Sequence, residues 1–334
     1  MPFQTIHLVR WNHISIGLGT IAWVLIVLAS LFGVMVLDDL QIILLLAILI
    51  ITPLAIPLVS LPRMAPLPSR LASFVLFLQP FAALLGGASF LLSMGPVAAA
   101  LAVVWFLFTG LLALIGLLWL LQAPSRSLAD LCLAVALLYL PIGGIWMVLA
   151  RLGLQPLGFG VHTDLLTAVH FHFIALAALI ITGLTGHAIQ TTHHDTSWVI
   201  YHIAALGVLV NPILVATGLT IAQITNLHFL DTAPADLLAL SLILIALLGL
   251  RFVVPATTSL FAKVLLVLSY TTVFVTMLFA GAYALGMATG GWTITLSQMI
   301  LIHGLENALI FGLCGLFGWR IRVREEKRRG EVCA

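Results

Sequence analysis

Charge is what this chain has least of. Its 334 residues include 13 Lys and Arg and 11 Asp and Glu, 7% together, against about 25% in a soluble domain. That scarcity excludes a water-soluble fold of this size. Nucleic-acid binding is excluded as well, because no basic groove with interleaved aromatics occurs and the one basic run, "RIRVREEKRRGEVCA", is short and abuts an apolar segment. Cysteine is also scarce. Cys132 and Cys314 fall in apolar runs and Cys333 in the charged tail, so there is no CxxC pair, no CxxCH haem-attachment motif and no disulfide framework. A cleavable leader and an internal repeat are missing too. The first apolar run, about residues 14–36, is longer than a signal-peptide core and reads as a retained span.

What fills the chain instead is apolar sequence, 63% of all residues. A spanning helix needs about 20 apolar residues, and this ruler finds ten candidates, at about 14–36, 40–60, 71–93, 96–121, 129–149, 164–186, 198–221, 236–254, 259–286 and 293–318. The expected class is therefore an all-α, polytopic transmembrane helical bundle, multi-pass in a cell membrane, with the lipid bilayer as its first partner. Charge placement tests the count. With ten spans, Arg10, Arg63, Arg70, Arg126, Arg251, Lys263 and the six basic residues of the tail share one side, and Arg151 alone lies on the other. The positive-inside rule then predicts that both termini are cytoplasmic. An odd number of spans would scatter the basic loops over both sides. The tail reads as a solvated stop-transfer segment that can also meet anionic headgroups.

We read residues 1–334 as one integral membrane domain with unequal halves. Residues 1–150, spans 1–5, are an apolar scaffold whose irregularities are backbone ones: Pro53 and Pro57, Pro80 ahead of Gly86-Gly87, and Pro141 with Gly143-Gly144. Residues 151–318, spans 6–10, and their loops hold nine of the eleven histidines and are the expected working half, followed by the basic cytoplasmic tail 319–334.

The polar residues inside spans carry the functional expectation. In "VHTDLLTAVHFHF" (161–173), His162 and Asp164 fall near the outer interface and His170 and His172 about two turns deeper. Residues two apart on a regular helix point about 200° apart, so His170, which shares a face with His162, Thr163 and Thr167, is expected in a site and His172 against a neighbouring span. In "GGWTITLSQMILIHGLENALIFG", His303, Glu306 and Asn307 lie 10–15 residues into span 10, near the bilayer centre. A carboxylate there costs about 2.5–3.5 kcal/mol on insertion scales unless neutralised, paired or bound to a cation. Spacing i, i+3, i+4 puts all three on one face of a regular helix. Candidate partners at that depth are His170 or His172, Asn211 beside Pro212, and the Thr272, Thr276, Tyr283 stripe of span 9.

Three chemistries fit this set. His170, His303 and Glu306 supply two imidazoles and a carboxylate, suited to a transition metal, iron or zinc, with Asp164, Asn211 and Asn307 orienting them; facing histidines can instead hold haem. Such a site can serve an enzyme acting on a lipophilic substrate. A lone mid-membrane carboxylate beside histidines also suits a proton- or solute-coupled transporter. The plain alternative is interhelical hydrogen bonding, about 0.6 kcal/mol per contact. His162, Asp164, Thr167, His172, Asn211, Thr276, Tyr283 and Asn307 are the wider candidate lining for a small-molecule or ion ligand. His187, His193, His194, Asp195 and, at the start of span 7, His202 form a further set on the cytoplasmic side that reads as a polar exposed loop; they lack the repeated short-spaced boxes of membrane di-iron desaturases. Nothing fixes an oligomeric state.

"LTAVHFHFIAL" (166–176) and "IHGLENALIFG" (302–312) resemble the two best-marked stretches of the YndJ-like family of bacterial polytopic membrane proteins. His170 and Phe171 match the first motif; His303, Gly304, Asn307 and Ala308 match the second, with Glu306 in its variable part. The likeness covers spans 5–10 and leaves the first half unassigned. It implies a bacterial inner-membrane protein, loosely labelled a transporter, and names no chemistry.

Overall fold

In lipid a backbone can satisfy its N–H and C=O groups only internally, and apolar runs of this length do so as helices. The computed structural model describes residues 2–59, 66–122, 127–190, 196–225, 227, 229–291 and 294–329. Arg63, Arg126, His193, His194, Asp195 and Cys333, singled out above, lie outside them. Among the described residues there is no strand, and ten helices are long and apolar enough to cross a membrane: α1 (His7–Leu31), α2 (Asp39–Val59), α3 (Arg70–Leu91), α4 (Pro96–Gln122), α5 (Leu128–Leu152), α6 (Val161–Gln190), α7 (Thr196–Thr225), α8 (Phe229–Ala256), α9 (Leu260–Thr289) and α10 (Leu296–Arg329). The fold is all-α and multi-pass.

Several helix ends differ from the apolar pattern by more than a turn: α1 begins ahead of residue 14 and α8 at Phe229 instead of about 236. The first run continues to residue 36, but the helix stops at Leu31, because Gly33 takes a left-handed conformation (φ 69°) and turns the chain. At the other end, helix continues through the basic tail to Arg329, supported by the i, i+4 pair Arg322 Nε to Glu326 Oε1 at 2.8 Å.

The chain packs as two compact units. Unit 1 comprises residues 1–125 and 134–176; unit 2 comprises 126–133 and 177–334. Helices α5 and α6 each contribute to both.

Within unit 1, α2 is the interior element, with α1, α3 and the first half of α6 against it. Asp38 and Gln41 open it with a reciprocal capping box. Its two prolines then disrupt its ladder. Pro57 has no N–H to give the Pro53 carbonyl, and Asn12 Nδ2 donates to that carbonyl instead, at 2.9 Å. Just before Pro53 the helix widens into a π turn, Ala47–Ile51. In that register the missing Pro53 N–H would have reached Ile48 O, and Gln79 Nε2 donates there at 3.2 Å. Ser15 in turn donates to Gln79 Oε1. Three buried polar residues of this half, Asn12, Ser15 and Gln79, thus repair a broken backbone.

Within unit 2, α8 packs on α7 and α9, and α9 packs on α10. Helix α8 also widens two residues before a proline, over Gly249–Val253 ahead of Pro255. The carbonyl of Val253 is then met by Arg322 Nη1 at 2.7 Å and Thr257 Oγ1 at 2.8 Å.

Candidate functional site

Two further π-helical stretches have no proline to explain them. One, Ile174–Leu179, begins directly after the "HFHF" segment of α6. The other occupies most of the membrane part of α10, as Met299–Leu305 and Asn307–Cys314 on either side of Glu306. An i→i+5 ladder is rare, occurs mostly as single turns, and is frequent at functional sites. Here it coincides with the two polar motifs.

In unit 2 the α10 motif meets α9. Thr276 Oγ1 donates to Asn307 Oδ1 at 2.9 Å. His303 Nδ1 lies 3.0 Å from the Thr276 carbonyl and 3.3 Å from Asn307 Nδ2. A carbonyl only accepts, so Nδ1 carries the proton and donates to it; in that tautomer the Asn307 amide is a neighbour, not a second donor. Thr276, His303 and Asn307 are thus brought together, with the Thr276 side chain fully buried. Glu306 differs from expectation: half-buried, it makes no hydrogen bond or ion pair with any described residue. The i, i+3, i+4 face holds for 3.6 residues per turn, and the wider π winding changes that register. Asn211 is buried on α7 and Tyr283 half-buried on α9, neither bonded to His303 or Asn307.

In unit 1 the first half of α6 is regular helix, Val161–Phe173, so the two histidines of "HFH" do point apart. His172 is completely buried. Its Nδ1 donates to Ala168 O at 2.7 Å, and its Nε2 accepts from Trp105 Nε1 at 2.9 Å. Both ring nitrogens are committed, which leaves none for a metal. Gly143 makes the space: a Cβ there would lie 2.5 Å from His172 Nδ1. His170 and His162 are exposed, with His170 Nδ1 on Leu166 O at 2.8 Å, and Thr167 donates to Thr163 O. Asp164 lies eight residues before His172, two steps of four along the buried face; it is 0% exposed and neither carboxylate oxygen has a hydrogen-bond partner among the described residues.

A further polar cluster was not visible as such in the sequence. His187 is not a loop residue: it lies near the end of α6, where its Nε2 comes within 3.1 Å of Asp130 Oδ1. Asp130 is held by Ser127, whose N–H and Oγ both donate to Oδ2. Nearby, Gly186 packs directly under the buried Tyr201 hydroxyl, which finds no oxygen or nitrogen partner among the described residues. Ser127-x-x-Asp130 is a helix-start signature and was the legible signal; its pairing with a residue 57 positions on was not. Among the described residues no three His, Cys, Asp or Glu side chains gather so as to hold a metal ion.

Ten apolar helices, with buried polar networks inside them and repaired breaks in their backbones, define a multi-pass membrane protein. The model of the family described as YndJ-like protein matches residues 42–311, and the chain belongs to that family. The likeness therefore reaches well beyond spans 5–10, back into α2. The uncharacterized membrane protein YndJ of Bacillus subtilis (strain 168) is 32% identical over 222 residues, 66% of this chain and 38% of that protein. The match thus spans little over a third of that relative's length. No solved structure matches.

Proposed function

We propose that this protein binds a small polar solute or ion inside the membrane, with Thr276, His303 and Asn307 as ordered hydrogen-bonding groups and Glu306 as the acidic group. The observation that carries this reading is the proline-free π winding of α10 through His303, Glu306 and Asn307, a distortion that packing alone gives no reason to maintain. A site whose polar groups hold one another in place, next to a carboxylate that none of them neutralises, is arranged to receive a partner from outside.

Transport is a second reading, favoured by a specific feature: Glu306 in α10 and Asp164 in α6 are carboxylates within spans that lack partners among the described residues, and such groups mark proton and ion pathways. The metal-dependent enzyme reading needs about three protein ligands, and His303 with Glu306 supplies two at most within unit 2.

Two measurements separate these. In proteoliposomes under a pH gradient, wild type is expected to conduct protons or a co-solute and Glu306→Gln to lose at least about tenfold of the rate, whereas equal rates in both would remove Glu306 from the proposal. Elemental analysis of the purified chain should find no stoichiometric transition metal. A metal present at one per chain and lost in His303→Ala would replace solute binding with a metal centre.

A further inference from the structure

Where α7 begins and α8 ends, unit 2 has a feature that the site above does not use. Ile200 of α7 and Leu244, Leu247, Leu248 and Phe252 of α8 wall an open cleft of about 420 Å³, to which Ser197 and Arg251 add the polar lining. Two of the arginines at this end of the unit, Arg322 and Arg251, differ in state. Arg322 is buried and fully engaged, by Val253 O, Thr257 Oγ1, Glu326 and the Trp319 ring. Arg251 is exposed, and among the described residues its guanidinium meets the ring of its own neighbour Phe252, 5.4 Å from the centroid. No described carboxylate pairs with it.

Arg251 stands five residues before the end of α8 at Ala256, about 7.5 Å at 1.5 Å per residue, which is headgroup depth for a helix ending at the interface. An apolar trough running into a span from a guanidinium that no described carboxylate neutralises calls for a ligand with an anionic head and a hydrocarbon body. Guanidinium binds phosphate through paired N–H donors, and the leucine-lined walls offer nothing to a wholly polar anion.

We infer that this cleft binds one anionic phospholipid, with its phosphate on Arg251 and Ser197 and an acyl chain along Ile200, Leu244, Leu247 and Leu248. The test is native mass spectrometry of the full chain in mild detergent with added phosphatidylglycerol or phosphatidylcholine. Wild type should retain phosphatidylglycerol about fivefold better, the contribution of one basic residue near a charged headgroup. Arg251→Gln should retain both lipids equally, Arg251→Lys should keep most of the preference, and Leu247→Trp, which fills the cleft from an exposed position, should weaken retention of both. Excess inorganic phosphate should leave the preference intact. Equal retention by wild type, an unchanged preference in Arg251→Gln, or displacement of the lipid by inorganic phosphate would each overturn the inference. Arg251 and Leu247 are exposed, so these variants leave the packed core untouched.

Discussion

His172 shows how a histidine inside a membrane protein is made structural. The Ala168 carbonyl fixes a proton on Nδ1, the Trp105 indole N–H needs a lone pair on Nε2, and the two demands together select one neutral tautomer. The ring also lies nearly parallel to Trp105, at 17° with centroids 6.0 Å apart. Trp105→Phe keeps the apolar ring but strands Nε2, and should destabilise by about 1–3 kcal/mol. Gly143→Ala should cost a similar amount by overpacking, about 1–3 kcal/mol, because its Cβ would also sit 3.0 Å from the Ala168 carbonyl. Thermal unfolding in detergent measures both, and a stability equal to wild type for Gly143→Ala would show that the ring can move aside. His303, by contrast, donates to the Thr276 carbonyl from a partly buried position, beside an acid that has no hydrogen-bond partner among the described residues.

At the scale of the helix, prolines and π turns divide into two kinds. Those of α2 and α8 come two residues before Pro53 and Pro255, and a reader of "ITPLAIP" or "FVVPA" can anticipate a break there. What fills the break in α2 is not legible locally: Asn12, Ser15 and Gln79 look like incidental polar residues until the fold brings them to the exposed carbonyls. Asn12→Leu should therefore destabilise by about 1–3 kcal/mol. Pro57→Ala restores the N–H that Asn12 replaces, so in that background Asn12→Leu should cost much less; a double-mutant cycle reads the difference. Undiminished cost in the double variant would mean that Asn12 acts through packing. The windings of α6 and α10 are the second kind. No residue type announces them, so a regular 3.6-residue reading of "HGLEN" puts Glu306 on one face with His303 and Asn307, whereas the structure brings only those two to Thr276. His187 was misplaced for a related reason, since polar residues near a span's end read as loop when their partner lies in another helix.

For the whole chain, ten spans and their approximate limits follow from hydropathy and length alone, because lipid removes every competing way to satisfy a backbone. Orientation is a separate matter, and the lopsided distribution of Lys and Arg predicts cytoplasmic ends. Cys333 in the tail offers a direct check. A membrane-impermeant thiol reagent should label it in inside-out vesicles and not in intact spheroplasts, whereas the buried Cys132 should resist in both; the reverse pattern would invert the topology. The matched part of the Bacillus relative is little over a third of that protein, so most of its length lies outside the match.

Helix α2 has the most oily sequence of the ten, yet 89% of its most apolar window is enclosed by protein. Once folded it hardly meets the solvent for which its composition suits it. Its greasiness therefore belongs to an earlier moment, when the nascent segment leaves the insertion machinery alone and must partition sideways before α1, α3 and α6 close around it. A helix of this kind answers to two selections in turn, entry first and jigsaw fit second, and the prolines it carries are tolerable because Asn12 and Ser15 of the preceding α1 and Gln79 of the following α3 mend them once the three helices pack.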